Sequence, residues 1–216
     1  MALALAKPLP AGAEYLVPVV EDLGKRFGIS PYLLLGFMYA ESNYGLALKP
    51  KGPKGSGDYI ARPCLSERDK RMAAFPLPGV VKKRVDSIPA RGIKVPVDAW
   101  VPTTTGWGCG LWQVDYEAHF DFCKSGQWAD PTKGGEYVIT KILKPNRETL
   151  AKQFPKLDAV QLGRAMVASY NAGAGRVAKF IKEGKDIDGC TFHTGYIDKI
   201  IAKADELAGR KGAWME

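Results

Sequence analysis

The sequence is short of metal-binding residues. It holds two histidines, His119 and His193, and four cysteines, Cys64, Cys109, Cys123 and Cys190, with no C-x-x-C spacing among them. A structural zinc site therefore has little support, and no metal or cofactor is expected. The four thiols leave two alternatives open: buried free thiols, or one or two disulfides if the chain reaches an oxidising compartment. Long apolar runs are also missing. The longest lies around Leu33 to Ala40, far short of the ~20 residues of a membrane-spanning helix. The opening stretch MALALAKPLPAGAEYLVP has no basic start, and Lys7, Pro8 and Pro10 break its apolar part, so it does not read as a secretory signal. No internal repeat and no linker to a second domain is visible.

The 216 residues are 46% hydrophobic and 25% charged. That composition supports one good core and excludes a disordered chain, a collagen-like repeat and a coiled coil. Lysine and arginine number 31 against 23 acids, a net charge of +8. Such a balance favours anionic partners: nucleic acid, anionic lipid or an acidic wall polymer. The charge is not spread evenly. Between Lys49 and Lys94 stand twelve basic and four acidic side chains, an excess equal to that of the whole chain. The surrounding segment 46–105 also carries eight of the fifteen prolines. It reads as a long, mostly irregular insertion with one short helix from Ser66 to Ala74, and irregular segments of that length are usually functional.

The rest reads as helix. An amphipathic helix is expected over 13–27, with Pro18 near its start. Ser30 and Pro31 form a strong helix start, as N-cap and first helical residue. The helix they open runs to about Asn43 and is apolar nearly all round, as a buried central helix must be. Further helices are expected over 132–153, broken at Pro145, and over 157–171, 175–183 and 194–208, with Pro155 and Gly173–Gly175 as punctuation. Thr103 to Trp112 has the composition of a short β-hairpin. The expected fold class is mainly α, a single domain over 1–216 with the insertion within it.

Glu41 is the most informative residue. On a helix its neighbours at i−3, i−4 and i−7 are Met38, Phe37 and Leu34, so its carboxylate shares their face. Burial among apolar side chains disfavours the anion, and the negative end of the helix dipole adds to this. Both effects hold the carboxyl protonated towards neutral pH, as a group that protonates a leaving glycosidic oxygen must be.

Two further segments set Glu41 in a pattern. One is Gly110-Leu111-Trp112-Gln113-Val114-Asp115; the other is Ser169-Tyr170-Asn171-Ala172-Gly173-Ala174-Gly175. With Glu41-Ser42, and in this order, the chain resembles the lysozyme-like superfamily of lytic transglycosylases and goose-type lysozymes. That family shows E-S at the end of a buried helix, then G-L-M-Q, then A-Y-N-A-G. Trp112 replaces the usual Met and Ser169 the usual Ala. The resemblance covers about residues 14–45 and 106–208. Gln113-Val114-Asp115, with His119 four residues on, is closer to the goose-type branch. That branch carries a further aspartate in a G-x-G-D turn, which Gly55-Ser56-Gly57-Asp58 supplies here.

The resemblance implies an all-helical lysozyme-like domain with a small β element in the cleft wall. It implies cleavage of the β-1,4 bond between N-acetylmuramic acid and N-acetylglucosamine in peptidoglycan. Glu41 is then the general acid, with Asp58 and Asp115 holding the attacking water. In a transglycosylase the muramyl hydroxyl attacks instead and leaves a 1,6-anhydro end; the two aspartates favour hydrolysis. The resemblance further implies cleft roles for Ser42, Gln113, His119, Tyr170, Asn171 and Tyr196. Trp107 and Trp112 have two readings, as sugar platforms or as core residues. The expected partners are peptidoglycan glycan strands and, through the basic insertion, anionic wall polymers. The chain is expected to be a monomer acting at the cell wall, exported by a holin, by a secretion machine or from a form with its leader removed. Three rivals remain. Cys109 with His193 faintly resembles a papain-like pair. The charge permits nucleic-acid binding, though the basic segment lacks interleaved aromatics, and none is expected. A lysozyme-like protein that only binds the wall is the third.

Overall fold

The computed structural model describes residues 3–48, 59–60, 101–102, 108–115, 118–191 and 194–216. Among them are eight α-helices: α1 (Leu16–Phe27), α2 (Pro31–Ser42), α3 (Phe120–Ser125), α4 (Pro131–Val138), α5 (Lys144–Gln153), α6 (Ala159–Ala172), α7 (Ala174–Lys182) and α8 (Tyr196–Ala208). Four two-residue strands and several short 3₁₀ and π turns accompany them; the strands are β1 (Tyr59–Ile60), β2 (Val101–Pro102), β3 (Gly108–Cys109) and β4 (Val114–Asp115). β1 pairs antiparallel with β2, and β3 with β4. The mainly α expectation holds. The Ser66–Ala74 helix lies outside the described residues.

The chain divides into two compact units, residues 1–40 with 135–216, and residues 41–134. In the first unit, α2 behaves as the sequence suggests. Leu33, Leu34, Leu35, Phe37 and Met38 are all buried, because a helix apolar all round gains only when each face is covered. Pro31 opens it, and the buried Ser30 hydroxyl donates to the Ala213 carbonyl at 2.5 Å. Gly36 explains how closely α8 approaches. A Cβ there would stand 2.6 Å from the Ile200 carbonyl oxygen, so a methyl group would push the helices apart. α6 packs on both α5 and α7. Its start is a reciprocal capping box: Gln161 N–H donates to Asp158 Oδ1 at 2.7 Å, and Asp158 N–H to Gln161 Oε1 at 3.0 Å.

Three boundaries differ from the sequence expectation. α1 begins at Leu16 rather than 13, placing Pro18 within its first turn, where its missing N–H costs nothing. Pro145 does not break the helix before it. Instead residues Ile139–Leu143 form a π turn, and the Lys144 N–H reaches back five residues to the Ile139 carbonyl. The wider turn lets the chain pass a proline in the first turn of α5 without interrupting the rod. The hairpin expected over Thr103–Trp112 lies a few residues later, with Gly108–Cys109 as its first strand. Residues 103–107 lie outside the described residues.

Candidate active site

The second unit begins at Glu41, the residue before the last of α2. The chain leaves the helix abruptly. Asn43, Tyr44 and Gly45 follow with φ of 49°, 59° and 83°, three successive left-handed residues. Gly and Asn adopt that region readily; a tyrosine does so at a cost. Burial of the Tyr44 ring holds it there. This turn fixes Glu41, which is half-buried, at the helix end rather than within the rod. Sparsely populated backbone of this kind persists where the surroundings over-determine it.

Ser42 makes the decisive connection. It is 2% exposed; its hydroxyl donates to the Leu111 carbonyl at 2.7 Å and accepts the Gly45 N–H at 3.0 Å. Leu111 belongs to the four-residue loop between β3 and β4. The end of the Glu41 helix is therefore bound to the hairpin that carries Gln113 and Asp115. Gly110 turns that loop with φ of 71°, and a Cβ there would meet the Trp128 ring at 2.8 Å. Gln113 also has a positive φ, 48°. Its Nε2 donates to the Gly110 carbonyl at 2.7 Å, so its amide locks the loop that the sequence marked as sugar-binding. Gly108 makes room for this: a Cβ there would stand 2.5 Å from Gln113 Oε1.

Asp115 pairs opposite Gly108 across the hairpin. Its Oδ1 accepts the Ala118 N–H at 2.9 Å, and its carbonyl accepts the His119 N–H at 3.0 Å. These bonds orient the carboxylate and wind the chain into α3, with half-buried His119 as the cap residue. Burial pushes the His119 imidazole below its ordinary value, and the Asp115 carboxylate pulls it back only in part. The folded chain thus prefers neutral His119. The resulting stability is fully present above the unfolded value of about 6.5 and is lost as pH falls from there through the lower folded value. The melting temperature is expected to drop between pH 7.5 and pH 5, and His119→Gln to remove part of that drop, as differential scanning calorimetry would record.

The first unit holds the remaining candidates. Tyr170, in α6, packs edge-on against Phe37 of α2, with ring centroids 5.2 Å apart at 61°, a favoured aromatic geometry. Phe37 stands four residues before Glu41 on the same helix. Asn171 follows half-buried at the end of α6. Tyr196 is the first residue of α8 and is buried. Asp58, Trp107 and His193 lie outside the described residues. Trp112, weighed in the sequence as sugar platform or core, is core: it is 1% exposed, and its Nε1 donates to the Pro131 carbonyl at 3.3 Å. Cys109 is no nucleophile. It is fully buried, and desolvation first, then its bond to Cys123, push its thiol far up, away from the reactive thiolate.

Sequence reasoning missed Asp188. It is 8% exposed, and it accepts the Gly195 and Ile197 N–H groups at the start of α8. Only its D-x-D spacing with Asp186, which caps Asp188 in turn, marked it in the sequence. Among the described residues no cluster of His, Cys, Asp and Glu is arranged to hold a metal ion.

A buried helix ending in Glu-Ser, bonded to a hairpin that bears an aspartate, in a mainly α chain, has the make-up of a lysozyme-like fold. Comparison with known proteins finds two similar chains. The chain is 33% identical over 107 residues to Lysozyme g of Casuarius casuarius, covering 50% of this chain and 52% of that protein. It is 33% identical over 102 residues to Lysozyme G of Dromaius novaehollandiae, covering 46% and 44%. The chain is thus similar to goose-type lysozymes, in agreement with its motifs, and spans about half the length of the curated relatives it matches. No family model and no solved structure matches it.

Proposed function

We propose that the protein is a muramidase that hydrolyses the β-1,4 bond between N-acetylmuramic acid and N-acetylglucosamine in peptidoglycan. One observation carries the reading: the Ser42 to Leu111 bond, which couples the Glu41 helix end to the Asp115 hairpin. A general acid and a water-positioning carboxylate are useful only if held in fixed relation, and this bond supports such a relation. The similarity to two proteins named lysozyme supports the substrate class. In this mechanism Glu41 gives its proton to the glycosidic oxygen as the bond to the muramyl anomeric carbon breaks. Asp115, with Asp58, holds a water that attacks that carbon from the opposite face and accepts its proton. Solvent takes that proton from the aspartate and returns one to Glu41, so the cycle consumes only water. The basic residues between Lys49 and Lys94 add affinity for anionic wall polymers, an attraction that salt screens.

The test is mass spectrometry of the soluble products released from purified peptidoglycan at low and high salt. Muropeptides with free reducing ends are expected, with wall binding that weakens as salt rises. Ends of the 1,6-anhydro type would replace this reading with a lytic transglycosylase, in which Glu41 serves as base and then acid and no water is held. Absence of products with binding retained would leave a wall-binding protein.

A further inference from the structure

The hairpin that bears Asp115 has a second anchor besides Ser42. Cys109 ends β3, in register with Val114 of β4. Cys123 lies in α3, where its N–H bonds to the His119 carbonyl at 3.0 Å. The two Sγ atoms stand 2.7 Å apart, closer than non-bonded sulfurs pack and short of the ~2.05 Å of a covalent bond. Cys123 Sγ also faces the Val114 carbonyl at 3.7 Å. Both side chains are fully buried, and both backbones are fixed by strand pairing or helix bonding. Closing a bond asks the two sulfurs to approach by only ~0.65 Å.

We propose that Cys109 and Cys123 form a disulfide that staples the Asp115 hairpin to α3. The oxidant is a small or protein disulfide, of which oxidised glutathione is the simplest. The thiolate of one cysteine attacks a glutathione sulfur, one reduced glutathione leaves, and the second cysteine displaces the other from the mixed disulfide. The protein loses two electrons and two protons, and both appear in the two glutathione thiols. The timing follows from burial. Exchange needs a thiolate, and the folded interior disfavours one at Cys109, so the bond closes while the chain folds and is then shielded from reductant. The pair is separated by 14 positions, and cross-linking a loop of that length restricts the unfolded chain appreciably.

The bond is read without an activity assay, so its failure and that of the muramidase reading are separate events. The full chain is unfolded, refolded in a mixture of oxidised and reduced glutathione, quenched with acid, and alkylated in denaturant. No lysine or arginine stands between Lys94 and Lys124, so trypsin leaves both cysteines on one peptide. A Glu-specific protease then cuts after Glu117. Two pieces still joined, and two hydrogens lighter than their reduced sum, are expected. Dithiothreitol applied in denaturant should separate them, and the refolded reduced chain should melt ~10 °C lower. A Cys64→Ser/Cys190→Ser variant, which leaves only this pair, should give the same joined pieces. Alkylation of both thiols in the glutathione-refolded chain, or their capture by Cys64 or Cys190, would overturn the proposal.

Discussion

Replacing Glu41 with glutamine is expected to reduce turnover on peptidoglycan by ~10²–10⁴-fold while leaving the fold intact, the range by which a positioned general acid accelerates proton transfer. At ~1.36 kcal/mol per tenfold, that is about 3–5 kcal/mol of lost transition-state stabilisation. Glutamine matches the shape of glutamic acid but has no acidic proton, so the glycosidic oxygen would leave unprotonated. The substitution spares the Ser42 hydroxyl on the Leu111 carbonyl and the left-handed turn over Asn43, Tyr44 and Gly45. The melting temperature should therefore stay within a few degrees of the parent, and KM should change less than kcat, because a lost proton donor acts at the transition state. Reducing-end release from purified peptidoglycan, measured beside a thermal melt, checks both. A variant retaining activity within threefold of the parent, at unchanged stability, would remove Glu41 from the chemistry.

What the sequence could and could not reveal follows from the range of the forces involved. α2 was readable because Leu33 to Met38 is apolar on every face, and such a helix has one environment open to it. Its role in holding Glu41 was readable from spacing alone, since i−3 and i−4 neighbours are set by helix geometry. The hairpin was misplaced by a few residues because two-residue strands carry almost no alternation to read; the positive φ of Gln113 and the Trp128 ring over Gly110 are tertiary facts. Pro145 reads as a break because proline removes one i−4 bond, yet the π turn before it needs no such bond. Gln113 shows the same limit at the site. Its position in the motif suggested a sugar contact, and only coordinates show its Nε2 on the Gly110 carbonyl. The Cys109–Cys123 pair could not be chosen among four cysteines without knowing that α3 returns beneath β3.

The second large effect concerns Asp188, which only its D-x-D spacing with Asp186 marks in the sequence. Asp188→Ala is expected to destabilise the protein by about 3 kcal/mol. Two N–H groups at the start of α8, those of Gly195 and Ile197, end on its carboxylate. Gly195 is the cap residue of that helix and offers no side chain of its own to satisfy them. Alanine would leave both donors unpaired, and a buried unpaired donor costs roughly 1–3 kcal/mol. The carboxylate also lies at the positive end of a 13-residue helix dipole, an interaction the alanine forfeits. Asp188→Asn keeps one acceptor oxygen and should recover roughly half the loss. The readout is a urea midpoint that falls without a change in slope. Faster hydrogen exchange confined first to Gly195, Tyr196 and Ile197 would show where the structure loosens. A variant with the parent's midpoint would mean that water satisfies these donors. In the muramidase proposed above Tyr196 is a cleft residue, and its ring is buried at the first position of the helix. If the muramidase reading is right, fraying that turn lowers activity by more than the unfolded fraction accounts for, which places Asp188 as a positioning residue outside the chemistry itself.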